Sequence, residues 1–459
     1  MLTVSNAVLL TMAPGGRAPI EGWMTVGDDG RITGVGPGGP PPSGGAVLDA
    51  GGRLVAPGFV SAHSHLFTSG SRGLGTDASL WDWIEAMTRH TRHATPDDIY
   101  WLTQHGSLDF LNNGITTAYD FTASRLVFSA ANALSGGFGG QLRPAELAEA
   151  QITAKVDSGI RFVNSVQLDD GVGTAVEVLN RLEATLAFAE RYRGHHGLLG
   201  MAVSGAVQWA EGPATAGLEV QAMRRWDLIN QPHFLEAPQM LAEQRAKFAW
   251  YRDAGAFGPD LIFGHFVHPT PAMIAEAAGA GCGMAWQPSS NGRLASGVAD
   301  IPAIRAAGMR VGVGLDDQSC SDLSDPWQNM RVGIFLLRAT THNPASMPVA
   351  DMLELHTLGS AQVLGVDDRV GSLEVGKYAD FVVVDPRSPD TGPMWDPYGT
   401  YVLACSLRNL KEVYVGGRRV SADGRIAHVD ADRVSAEVHA RLGRIAGREA
   451  DHHASKRAE

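Results

Sequence analysis

Cysteine is scarce. Three residues in 459, Cys282, Cys320 and Cys405, lie far apart and never in Cys-x-x-Cys spacing. A disulfide framework needs an even, clustered set, and a thiolate zinc site needs paired spacing, so neither is expected. Any metal would have to be held by histidine and carboxylate. Basic residues are also in deficit, with 37 Lys and Arg against 49 Asp and Glu, a net charge of -12. Without a basic stripe to neutralise phosphates, a nucleic-acid partner is not expected. Long hydrophobic runs are missing too. The opening "MLTVSNAVLLTMAPGG" lacks a positive start, and its apolar run is too short and interrupted for a secretion signal or a membrane span. These absences leave the expectation of a cytoplasmic protein, off the membrane, whose partner is a small molecule.

What is present is the composition of a folded chain: 44% hydrophobic and 19% charged residues, without low-complexity tracts. At this length a large barrel or two domains is expected. Residues 1–56 read as short strands between Gly- and Pro-rich turns, and 372–420 repeat that texture in "SLEVGKYADFVVVD" and "LKEVYVGGRRV". The two ends could pair as one small sheet domain. Between them, apolar runs such as "GITTAYDF", "GIRFVNSVQ", "LIFGHFV" and "MRVGVGLDD" alternate with segments of helical period such as "TAVEVLNRLEATLAFAERY". That alternation, at this length, predicts an α/β class fold with an eight-stranded barrel. The predicted division is 1–56 and 372–430 for the terminal sheet domain, 57–371 for the barrel, and 431–459 for a terminal helix that frays into a charged tail.

Function in a barrel sits at the C-terminal ends of the strands. Four such ends carry metal-competent or acid-base residues: His63 and His65 after "LVAPGFVSA", His233 with Glu236 in "HFLEAP", His265 in "LIFGHF" and Asp316 in "VGVGLDD". Residues two apart on a strand point the same way, so His63 and His65 can reach one ion. Taken singly each has an ordinary explanation, a strand-end histidine or an Asp316–Asp317 helix cap. Their recurrence at successive strand ends favours a shared site.

The segments "APGFVSAHSH", "SRGLGTDASLWDWI", "LNNGITTAYDF", "QPSSNGRLASGVADI", "VGVGLDD" and "GSLEVGKYADFVVVD" together resemble the amidohydrolase superfamily, in its branch of deaminases and chlorohydrolases, the aminohydrolases and triazine hydrolases. The resemblance spans nearly the whole chain and implies a distorted (β/α)8 TIM barrel with a small β-sandwich built from both termini. It implies that His63, His65, His233 and Asp316 bind metal, that Glu236 shuttles protons, and that His265 contacts substrate and water. The fourth-strand run "MAVSGAVQW" has no Lys or Glu to bridge two ions, so one divalent ion is expected: zinc first, with iron, manganese or cobalt as alternatives. The implied reaction is hydrolytic deamination of an N-heterocycle by metal-activated water. In it Asp316 accepts a proton, Glu236 protonates the ring nitrogen and His265 stabilises developing charge. Hydrolysis of a urea, carbamate or halogenated triazine uses the same residues, and a non-catalytic scaffold is the alternative from another class. A cytidine-type deaminase would need a Pro-Cys-x-x-Cys pair, which is missing.

Relatives that act on nucleosides carry a ribose-gripping Glu near the position of Arg92, so a nucleoside substrate is in doubt. Gln208, Trp209, Trp286 and Gln287 follow strand runs and are candidate pocket residues, with Arg92, an indole being suited to stacking on a planar ring. The long Gly-rich segment 121–144 is a candidate lid. The family often forms oligomers, so a homodimer or homotetramer is expected.

Overall fold

Eight parallel strand positions form a ring in the computed structural model, which describes residues 1–41, 44–128, 138–139 and 141–458. They are Phe59–His65, Ile115–Phe121, Arg161–Val166, Leu198–Gly205, Ile229–Phe234, Ile262–His265, Gly283–Trp286 and Arg310–Val313. The eighth position resumes two residues later as Asp316–Asp317, which pairs with the first strand and closes the ring. Every pairing round the ring is parallel. Strands covered on both faces should read as nearly unbroken apolar runs, and "ITTAYDF", "IFGH" and "GMAW" are buried throughout. The intervening helices start where their sequences supply caps. Thr174 and Glu177 form a capping box before Ala175–Ala189, and Thr95 and Asp98 form another before Pro96–Asn112.

The two ends of the chain share one mixed sheet. Leu54–Pro57 pairs antiparallel with Phe381–Val384, joining the N-terminal strands to those of 410–426. This sheet folds round its own core, in which Val4, Met24, Val55 and Val383 are buried and Phe381 stacks on Tyr414 at 4.4 Å. The architecture is the distorted (β/α)8 barrel with a small β-sandwich. All three cysteines are free and buried, and among the described residues no helix is long and apolar enough to cross a membrane.

Two expectations need correction. The run "SLEVGKYADFVVVD" is a strand only over Phe381–Val384, because Gly376 turns the preceding segment at φ +94°. The terminal helix does not fray early: it spans Ala431–Ala458. Val438 and Ile445 are buried against Phe67, Ile99 and Leu102, and Arg441 and Arg448 reach Asp97 and Asp98 on the helix below. Of the candidate lid, 129–137 and 140 lie outside the described residues.

Two features fix the mouth of the barrel. Asp120, at the end of the second strand, accepts a hydrogen bond from Leu66 N at 2.9 Å and pairs with the buried ammonium of Lys155, which also donates to Asn164 Oδ1 at 2.6 Å. The backbone just beyond His65 is thereby held by a buried ion pair. Behind His63, a Cβ added at Gly314 would lie 2.6 Å from His63 Cβ and 2.8 Å from its carbonyl oxygen, so only glycine lets the eighth strand approach. Lys155→Met leaves Asp120 buried without its counter-charge and should destabilise the protein by about 3–5 kcal/mol in urea unfolding. Gly314→Ala should cost about 1–3 kcal/mol, the usual range for overpacking, and displace the His63 ring, which imidazole NMR shifts would report.

Candidate metal centre

His63 and His65 lie on the first strand, His233 on the fifth and His265 at the end of the sixth, and Asp316 closes the eighth. The structure brings all five together with Glu236. The ring nitrogens converge: His65 Nε2 lies 3.3 Å from His63 Nε2 and 3.1 Å from His233 Nε2. Asp316 Oδ1 is 3.5 Å from His63 Nε2 and 3.6 Å from His65 Nε2. The backbone is bent to achieve this, since His265 and Asp316 both adopt left-handed φ values, +64° and +66°. That conformation costs of order 1–3 kcal/mol for a residue with a Cβ and persists only where surrounding structure enforces it.

Hydrogen bonds determine which nitrogen of His63 and of His265 carries the proton. Gln231 Nε2 donates to Ala62 O at 3.0 Å, which leaves its Oε1 as the acceptor for His63 Nδ1–H at 2.6 Å. The lone pair of His63 therefore lies on Nε2, facing the cluster. At His265 the order is reversed. Asn291 Nδ2 donates to Nδ1 at 2.9 Å, so the ring proton sits on Nε2, which is buried with no partner of its own.

Burial lowers the pKa of His65 to about 3, with His63 adding repulsion, and lowers that of His265 to about 3. Burial and the neighbouring imidazoles hold His233 well below its ordinary value. Burial, reinforced by the Asp316 charge, raises both Glu236 and Asp317 well above the usual carboxyl range. For Asp316 burial acts the other way from its surroundings, and His265, His63 and His65 prevail, holding it well below that range. The cluster thus combines neutral imidazoles, one strongly ionised carboxylate and two carboxyls that retain protons to higher pH.

Three imidazole nitrogens this close suit a cation at their centre. His63, His65, His233 and Asp316 are the donors that could hold a divalent ion. Glu236 Oε2 and Asp316 Oδ2 lie 3.6 and 3.8 Å from His265 Nε2. Above them opens a cavity with an apolar wall of Phe67, Leu80, Trp83, Ile84 and Met87. Phe121 stacks on the His65 ring at 4.8 Å.

The candidate substrate residues divide. Trp209 and Arg92 line the cavity. Arg92 is already occupied, with Glu85 Oε1 at 3.2 Å and Glu449 Oε2 at 3.6 Å. The other three lie behind the site and not in its wall. Trp286 is a core residue packed over Gly333. Gln208 Oε1 accepts from Leu235 N, and Gln287 Oε1 accepts from His265 N, both at 3.0 Å, so their amides brace the strand ends that carry Glu236 and His265. Asp317, Cys320, Phe121 and Arg143 also line the cavity. Asp317 and Phe121 had a signal in the sequence, being strand-end residues. Cys320 and Arg143 had none.

The Amidohydrolase family model matches residues 54–420. A 5-methylthioadenosine/S-adenosylhomocysteine deaminase of Desulforudis audaxviator is 27% identical over 432 residues, covering 91% of this chain and 94% of that protein. A protein of the same name from Symbiobacterium thermophilum is 28% identical, covering 97% of this chain and 99% of its own. Among solved structures, an adenosine deaminase from Xanthomonas campestris with bound zinc superposes with a TM-score of 0.82 at 20% identity, over 97% of this chain and 98% of that one. A zinc-bound atrazine chlorohydrolase from Arthrobacter aurescens gives 0.83 at 22% identity, over 96% and 100%. Those two similarities speak for the fold alone. The family match covers most of the sequence and includes every strand that supplies the cluster, and the chain belongs to the amidohydrolase family, as a hydrolase of carbon–nitrogen bonds other than peptide bonds.

Proposed function

We propose that the protein removes an amino group hydrolytically from a small, planar N-heterocycle, using one divalent ion, zinc first, held by His63, His65, His233 and Asp316. One observation carries the reading: two carboxyls with opposite acid-base tendencies, Glu236 raised above the ordinary range and Asp316 held below it, and an imidazole N–H of His265 with no hydrogen-bond partner face one point. Deamination needs those three functions, a proton donor, a proton acceptor and a hydrogen-bond donor for developing negative charge. The deaminase names of the relatives point the same way. They also name nucleoside-derived substrates, whereas Arg92 with its two glutamates occupies the place where a ribose-gripping acid is expected.

When bound, the ion supplies a Lewis acid that brings the pKa of water to roughly 7. The chain does the rest. Asp316, held ionised, takes up the proton lost by the attacking water. Glu236 delivers its proton from Oε2 to the ring nitrogen beside the reacting carbon, which makes that carbon electrophilic. His265 donates from Nε2 to the oxygen as it gains charge, and Asn291 keeps the proton on that nitrogen. The amine then leaves as ammonia, carrying a proton passed back through the carboxyls. The buried apolar wall strengthens each interaction by excluding water.

The deciding experiment is product identification by mass spectrometry, with ammonia measured in parallel, over aminopurines, aminopyrimidines, aminotriazines, aryl ureas and carbamates. An oxo-for-amino product with stoichiometric ammonia is expected. Release of an amine or chloride without ammonia would replace this reading with that of a urea, carbamate or triazine hydrolase. His233→Ala should lose both bound metal and turnover, as read by plasma emission spectrometry and rate. Glu236→Gln should keep the metal and lower kcat by about 10²–10⁴, the usual size of a general acid–base contribution.

A further inference from the structure

The cavity runs from the candidate metal ligands and Glu236 at its floor to a cationic group on its wall. Farther along its wall lies Arg143. This guanidinium donates from Nη1 to Thr91 O at 3.1 Å and from Nη2 to Ser124 O. Its Nε is buried and has no acceptor. Among the described residues no carboxylate lies within ion-pair distance of it, in contrast to Arg92 beside it with Glu85 and Glu449. Burial lowers its pKa to about 10, and the Asp169 charge only partly offsets this. Arginine remains cationic at neutral pH, so the wall holds a half-buried positive charge with no carboxylate in ion-pair distance among the described residues, Asp169 acting only from farther away.

A buried charge is expensive unless paired. Two carbonyls satisfy two of five N–H groups and none of the net charge. A ligand oxyanion would supply what is missing, and the fork geometry of guanidinium suits carboxylate and phosphate. We propose that Arg143 is the specificity determinant for an anionic substituent, a carboxylate or phosphate, on the heterocyclic substrate. The inference rests on the deaminase reading and names its substrate class. An anion held at Arg143 would also orient the ligand, leaving the amino-bearing edge to face Glu236 and His265.

The test uses the full-length, metal-loaded protein and matched amino-N-heterocycles bearing a carboxylate, the corresponding carboxamide or a phosphate monoester remote from the amino group. The readout is the ratio of kcat/KM for anionic over carboxamide forms within one protein, so a general loss of activity cancels. Wild type should favour at least one anion by tenfold or more, and which anion is favoured separates carboxylate from phosphate. Arg143→Gln should bring the ratio close to unity. A wild-type ratio near unity for both anions, or a preference that survives Arg143→Gln, overturns the proposal; the wild-type result decides even if the variant does not fold. If no member of the series, charged or neutral, releases ammonia, the deaminase reading fails instead. The subsite is then judged by calorimetric titration with benzoate and inorganic phosphate. Binding of either that is lost in Arg143→Gln supports it, and no binding, or equal binding to both proteins, overturns it.

Discussion

His65 Nε2, within 3.3 Å of His63 Nε2 and 3.1 Å of His233 Nε2, is the constraint on which the mouth of this barrel depends. Lone pairs that face one another at such a distance repel. The surrounding structure nevertheless enforces the arrangement. Gln231 locks the His63 proton on the outer nitrogen. Gly314 and Gly264 leave no side chain where the His63 residue packs, and strained backbone at His265 and Asp316 aims the remaining groups inward. Strain and repulsion gathered in one place, at a cost of several kcal/mol, are the signature of a site kept for binding and chemistry.

The same arrangement sets the acid-base character of the floor. Asp316 sits among imidazoles and is held well below the ordinary carboxyl range, while burial and its charge push Glu236 and Asp317 well above that range. Two kinds of carboxyl from one burial environment are what a reaction that both takes up and delivers protons requires. The apolar wall comes largely from Leu80–Thr91, a helix secured from outside by the C-terminal helix through Arg92, His93 and Glu449. The last helix of the chain thus contributes to the shape of the cavity without lining it.

Much of the fold was legible because its signals are local. Strand runs buried on both faces show as unbroken apolar stretches, and capping residues such as Thr174 and Thr95 mark helix starts within four residues. The strand-end histidines were legible for the same reason, since strand periodicity alone puts His63 and His65 on one side. Trp286, Gln208 and Gln287 were misread because a polar or aromatic residue after a strand can face the cavity or the layer behind it. A difference of one peptide's rotation separates the two.

What the sequence by itself determined is the order of elements, the chemistry of the donor set and its placement at strand ends, all of which depend on residues close together in the chain. Tertiary contacts settle what remains: which nitrogen of His63 and of His265 carries its proton, which carboxyls shift up and which down, and that Arg143 faces the cavity with no carboxylate in ion-pair distance among the described residues. Those properties belong to contacts between segments far apart in sequence, as between His63 and Gln231 or Asp316 and Glu236. Distance and burial, which set tautomer and pKa, exist only once the barrel has closed.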